Sequence, residues 1–274
     1  MRRVERSGPT FDEQAGRWPE VGGILARQPW GAIEKLVPAG GDAAVRRKNL
    51  RRFLELLLQW NRRVSNLISK NDESRIVEAH LAPSIEPAEW IASHGLKSWL
   101  DFGSGGGFPA LPLALCGIGE RWDLVESRRT KTLFLRRAVE QMALPGVRVI
   151  TERLENLIGG DGGGSDAGDS GDAEWVPAES EDSEPASSEH VPGEVAQLSP
   201  PYDGFTSRAT MTLGPTLLLA APIVRPGGFA FLWKGSKLDA ELSEAPNIGS
   251  DWDVVERRRL SNGMTEVVKL LRRG

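Results

Sequence analysis

The residues with types and spacing suited to chemistry are Asp101, Gly103, Gly105, Gly107 and, about 20 positions on, Glu126. Leu100 leads into Asp101, glycines follow at every second position, and Pro109 opens an apolar stretch. This pattern predicts a strand that ends in a tight turn and enters a helix. Glycine tolerates the positive φ of such a turn and keeps a Cβ out of a ligand's way. Open α/β sheets bind ligands at this edge, beyond the carboxyl ends of parallel strands. A second strand, Arg121-Trp122-Asp123-Leu124-Val125-Glu126, ends in an acid that can accept hydrogen bonds from both hydroxyls of a ribose. Turn, spacing and acid together predict a nucleoside-type cofactor.

The elements that must position these residues alternate. Strand 97–102 precedes the turn and a helix around 109–117 follows it. Strand 121–126, a helix over 130–143 and strand 147–151 come next, then a short turn, Arg153-Leu154-Glu155-Asn156. After a break, strand 202–209, a helix over 212–224, strand 229–233 and a helix over 237–245 resume the rhythm. Strands alternating with helices give a parallel sheet. Asn262-Gly263, between strands 252–259 and 264–271, marks a hairpin that makes the last strand antiparallel.

Ahead of this α/β domain, residues 43–95 read as a small helical cap. Leu50, Phe53, Leu54, Leu57 and Val64 share one face of its first helix. Lys48, Arg51, Arg52, Arg62 and Arg63 share the opposite face and are the candidate phosphate contacts. Asn71 or Asp72 is expected to cap a second helix that Pro83 stops, and Pro87 opens a third that Gly95 ends. Residues 1–42 lack periodicity and read as an irregular arm, with Trp18 and Trp30 docking on the body.

The net charge of −4 hides an asymmetry. Residues 159–200 hold eleven acids and no Lys or Arg, and read as a disordered acidic insertion. Without it, 34 basic residues face 27 acidic ones, a balance that suits a nucleic-acid partner. No apolar run approaches the roughly 18 residues of a membrane span. No apolar stretch follows Met1-Arg2-Arg3, so no signal peptide is expected. One cysteine, Cys116, and three histidines make disulfides and a metal cluster unexpected and a reducing, cytoplasmic setting expected. A monomer is the expected state.

The glycine turn is not the dinucleotide fingerprint, because Phe108 stands where the third glycine belongs. Its D-x-G-x-G-x-G form resembles the cofactor turn of methyltransferases that bind S-adenosylmethionine (AdoMet). More of the chain resembles one such family, the bacterial small-subunit (16S) rRNA guanine-N7 methyltransferases, also called glucose-inhibited division protein B. The shared residues come in the family's order: Trp60-Asn61 with Asn66-Leu67, Leu100 to Pro109, Phe134-Leu135-Arg136, Arg153-Leu154-Glu155, Ser207-Arg208-Ala209 and Lys234-Gly235. They span about residues 45–270, apart from the insertion.

The resemblance implies a Rossmann-like class I methyltransferase fold and methylation of guanine N7 in 16S rRNA, with that RNA or the small ribosomal subunit as partner. It implies AdoMet contacts from Gly103, Gly105, Phe108 and Arg208, a ribose held by Glu126, and adenine flanked by Leu154 and Glu155. Arg208 and Lys234 become the candidate catalytic donors, aimed at guanine O6. Guanine N7 attacks through a lone pair in the base plane, so no general base is required. The chain departs from the family where Ala79-His80-Leu81-Ala82-Pro83-Ser84 replaces the usual Arg-His-x-x-Asp-Ser, and at Ala110, where glycine is common. Two other readings remain open at this stage. Ser199-Pro200-Pro201-Tyr202 resembles the N-P-P-Y motif of amino-group methyltransferases. The altered second-helix motif would suit a non-catalytic RNA-binding or assembly protein.

Overall fold

A computed structural model of the chain describes residues 18–39, 42–64, 66–159 and 197–274. Its centre is a seven-stranded sheet: β1 (Ser98–Phe102), β2 (Arg121–Glu126), β3 (Val147–Thr151), β4 (Tyr202–Arg208), β5 (Val224–Lys234), β6 (Trp252–Arg259) and β7 (Glu266–Arg272). The order is β3-β2-β1-β4-β5-β7-β6, parallel from β3 to β5 and antiparallel for β7 and β6. The strand order reverses between β1 and β4, and the glycine turn leaves β1 at that switch point.

Helices cover both faces. Ahead of the sheet come α1 (Pro19–Ala26), α2 (Trp30–Leu36), α3 (Ala43–Arg63) and α4 (Lys70–Glu73). A π turn (Val77–Leu81) then runs into α5 (Ala82–Ile85), and α6 (Ala88–Ala92) follows. Between the strands lie α7 (Ala110–Leu115), α8 (Arg129–Gln141), α9 (Leu154–Ile158), α10 (Leu213–Ala220) and α11 (Leu238–Glu244). Side chains alternate across each strand, so each face has its own core. Trp99, Phe231 and Trp233 pack with Phe53, Phe108 and Phe134 in one cluster, which reaches back to Val21 and Ile33. Leu100, Phe205, Leu232 and Leu217 form the other. Residues 43–95 therefore share one apolar cluster with a face of the sheet.

Three expectations need correction. The arm expected to be irregular over 1–42 contains α1 and α2, as far as it is described. They are held by burial of Val21, Ile24, Leu25 and Ile33 and by Gln28, whose amide bonds Ser74 O and accepts from Val77 N. Tertiary packing supplies what the short, glycine-rich sequence lacks in helical periodicity. Second, Ser69 rather than Asn71 or Asp72 caps the second helical segment, through Oγ accepting from Asp72 N. Third, Pro83 does not stop that segment. The chain stays helical through Ile85, because the π turn ahead of Pro83 re-sets the hydrogen-bond register. Pro87 and Gly95 do bracket α6, the latter at φ +63°. Of the insertion expected over 159–200, residues 160–196 lie outside the described residues. At its margins, Gly159 closes α9 and Ser199 is fixed by Arg148 and Arg121.

Candidate active site

The turn after β1 is stitched to the end of β2. Gly103 and Ser104 donate to Val125 O at 2.9 and 3.1 Å, and Gly105 donates to Glu126 Oε2 at 3.0 Å. Gly103, Gly105 and Gly107 all have positive φ, at +70°, +51° and +86°. A Cβ on Gly103 would also collide with the Thr210 methyl group. By contrast, a Cβ on Gly105 would meet only Gly103 O, at 3.7 Å, which leaves room for a ligand over that residue.

Glu126 is not a strand-end acid facing water. It is 7% exposed and accepts from Gly105 N and, at 2.9 Å, from Arg128 N. A carboxylate accepts about four hydrogen bonds, so lone pairs remain for a diol. Asp101 is more deeply buried. Its Oδ1 accepts from Thr206 Oγ1 at 2.6 Å, while Oδ2 has no partner among the described residues. Burial, with the nearby Glu126 charge, pushes the Asp101 carboxyl up to about 7. An unpartnered buried oxygen beside a glycine cradle and a second carboxylate suits a ligand that brings hydroxyl and cationic donors. A nucleoside carrying an amino-acid tail is such a ligand, so the donor set fits AdoMet.

The structure separates the other expected cofactor contacts. Phe108 is a core residue, edge-on to Phe53 at 5.3 Å and stacked on His80 at 5.2 Å between ring centres. Leu154 is fully buried in the second cluster. Glu155 is exposed, and Glu152, not Glu155, accepts from Arg153 N and Asn156 at the start of α9.

Arg208 and Lys234 point to opposite faces of the sheet. Arg208 is the register partner of Trp233, so the next residue along β5 projects the other way. Lys234 Nζ donates to Met211 O at 2.8 Å and pairs with Glu241 at 2.9 Å, which in turn accepts from Leu213 N. Its ammonium thus anchors the loop after β4. Arg208 turns toward the cap instead. Nη2 donates to Ala79 O at 2.7 Å, and Nη1 donates to His80 O at 3.2 Å and reaches Ser84 Oγ at 3.5 Å. It does not pair with Asp101. Burial lowers the guanidinium to about 10, and it stays cationic at neutral pH. Those contacts use at most three of its five N–H groups.

Two cavities meet at Arg208. One of about 430 Å³ opens at the ends of β4 and β5, lined by Arg208, Thr210, Met211, Trp233, Lys234 and Thr265. The other, about 610 Å³, lies between α2, the π turn and the hairpin tip, lined by Leu36, Val77, His80, Pro83, Arg208 and Met264. Neither lining includes the glycine turn, but the smaller cavity adjoins it through Thr210, whose methyl group lies against Gly103.

Sequence reasoning missed His80 and Asp101 as site residues. His80 Nε2 faces Asp72 at 3.3 Å, and burial with the Arg208 charge holds the imidazole down at about 4, hence neutral. Its place in the second-helix motif was the available signal. For Asp101 the signal was its position as the first residue of the glycine motif.

The cationic stripe on α3 is partly occupied. Arg63 sits 4.5 Å over the Trp18 ring, Arg51 lies 5.5 Å from the Trp30 ring, and Arg62 pairs with Glu20 and Glu73. Lys48 is exposed and Arg52 half-buried. Ser199-Pro200-Pro201-Tyr202 lies at the amino end of β4, about 20 Å along the strand from Arg208, where Tyr202 donates to Asp123. It cannot play the part of an N-P-P-Y motif. Among the described residues there is no metal-type cluster of His, Cys, Asp or Glu, and no helix long and apolar enough to cross a membrane.

Comparison with known proteins agrees with this geometry. The family model for rRNA small subunit methyltransferase G matches residues 46–163. A ribosomal RNA small subunit methyltransferase G of Gluconobacter oxydans is 32% identical over 205 residues, covering 75% of this chain and 81% of that protein. The Methylococcus capsulatus protein of the same name is 30% identical over 208 residues, covering 76% and 79%. Among solved structures, cofactor-bound Rv0187 from MTB superposes with a TM-score of 0.51 at 12% identity, over 82% of this chain and 90% of that one, which shows the shared Rossmann-like fold. On these relatives, the chain belongs to the rRNA small subunit methyltransferase G family.

Proposed function

We propose that this protein transfers a methyl group from AdoMet to N7 of a guanine in 16S rRNA. One observation carries the reading. The glycine turn held by Glu126 and the half-buried Arg208 cation stand on adjoining parallel strands, β1 and β4, at the same edge of the sheet. AdoMet, when bound, supplies a sulfonium methyl that a ring-nitrogen lone pair can attack. Gly103, Gly105, Glu126 and Asp101 would hold it, Glu126 through the ribose hydroxyls.

No residue has to remove a proton, so the reaction asks nothing of the neutral His80 imidazole beside Arg208. The remaining N–H groups of Arg208 would donate to guanine O6 and fix the base in line. Proximity of this kind contributes about 7–11 kcal/mol in well-oriented systems. Lys234 would act by holding the loop at Met211. Leu154 and Phe108 would contribute shape rather than polar contacts. Lys48, Arg51, Arg52, Arg62 and Arg63 would meet phosphates, with Arg51 and Arg63 pre-oriented on tryptophan rings. The protein would act as a monomer, in the cytoplasm and without a metal. The test is methyl transfer from labelled AdoMet to unmodified small subunits, with 7-methylguanosine as the expected product nucleoside.

A further inference from the structure

Proline in a helix interior cannot donate to the carbonyl four residues back, and its ring crowds that carbonyl. For Pro83 that carbonyl belongs to Ala79. The π turn just before it, closed by Ala82 N–H on Val77 O, widens the helix at the same point. Arg208 takes Ala79 O, the carbonyl that Pro83 cannot serve, and the next one, His80 O. Ser84 joins from the other side, donating to His80 O at 2.7 Å. Pro83 O itself accepts from Trp233 Nε1 at 2.7 Å, and Trp233 is the register partner of Arg208. One irregular helical turn thus presents three carbonyls to two adjoining strand ends. Ala79 and Pro83 themselves offer no ionic side chain to Arg208, and its contact at Ala79 is with backbone alone.

We propose that Pro83 is a positioning residue for Arg208. By withholding an N–H and opening the turn, it builds a backbone cradle that fixes the guanidinium at the end of β4. The cradle acts on the substrate only through Arg208.

Chemical rescue tests it. In Arg208→Ala, guanidinium chloride titrated in the low millimolar range should restore methyl transfer saturably. In Arg208→Ala/Pro83→Ala, its half-saturating concentration should rise about 10-fold or more, the effect of one lost charge-assisted hydrogen bond. Equal rescue in both proteins, or none with Pro83 present, overturns the proposal. Should Pro83→Ala not fold, Pro83→Ser, which restores the same N–H, takes its place in both comparisons. This arm rests on the methyl-transfer reading. A second arm does not: nitrogen-15 NMR of the native protein should show slow rotation of the Arg208 guanidinium, and Pro83→Ala should speed it about 10-fold. If the native protein transfers no methyl group, that reading falls and the rotation rate still decides the cradle. Unchanged rotation in Pro83→Ala contradicts it.

Discussion

Arg208 is a half-buried cation with no carboxylate in contact among the described residues, held by carbonyl oxygens and open to two cavities. Arg208→Ala should lower turnover by about 10²- to 10³-fold, the scale of losing one pre-organised donor. Its circular dichroism should be unchanged, and full turnover would remove Arg208 from the mechanism. Glu126→Ala should weaken AdoMet binding about 10-fold or more, read by calorimetry, because hydrogen bonds to a charged group contribute about 1.5–3 kcal/mol. Unaltered affinity would mean that Glu126 serves only Gly105 and Arg128.

Two titrations at the site oppose each other. His80 is held neutral in the fold, so its contribution is complete above its ordinary 6.5 and is lost as pH falls toward 4. Asp101 is held protonated, so its contribution is complete below 3.8 and is lost as pH rises through about 7. Between about pH 4 and 6.5 the two slopes nearly cancel. Asp101→Asn should unmask His80, and unfolding free energy should then rise by about 3 kcal/mol over that window. Urea denaturation measures it, and a flat profile in Asp101→Asn would sink the assignment. That the glycine turn would meet the acid ending β2 was legible, because spacing alone brings Gly105 to Glu126. The burial of Phe108 and Leu154 was not, since an apolar side chain beside a turn looks alike in core and ligand contact.

At the scale of elements, hydrophobic periodicity placed α3 and the alternating strands well. It failed for α1 and α2, which are short and depend on contacts far along the chain. Gln28 shows why. It is buried, and its side chain bridges Ile24 O, Ser74 O and Val77 N, joining α1 to the start of the π turn. Gln28→Leu should destabilise the protein by about 1–3 kcal/mol, because it strands buried backbone groups. A shift in the urea midpoint with unchanged slope would register it, and no shift would mean that other contacts hold α1. The π turn was equally hidden, because a proline in a helical pattern reads as a stop until a partner for the freed carbonyls is known.

For the whole molecule, the doubly covered sheet with its one reversed strand, β7, followed from the order of patterns along the chain. So did the predominance of basic residues outside the acidic segment. What the sequence left open was which side of the sheet each candidate donor faces. The β4–β5 register separates Arg208 from Lys234, and no motif encodes that register. A basic body implies salt-dependent RNA affinity. Lys48→Glu, at an exposed site, should weaken subunit binding and flatten its salt dependence while leaving AdoMet affinity unchanged. Filter binding across a salt series checks it, and an unchanged slope would move the RNA face elsewhere.

The most direct test of the central claim is to incubate the protein with labelled AdoMet and unmodified small ribosomal subunits, then digest the RNA and identify the labelled nucleoside. The expected product is 7-methylguanosine, at a single position, formed about 10²- to 10³-fold more slowly by Arg208→Ala. Label in any other nucleoside, or AdoMet binding without transfer to the subunit, would contradict it.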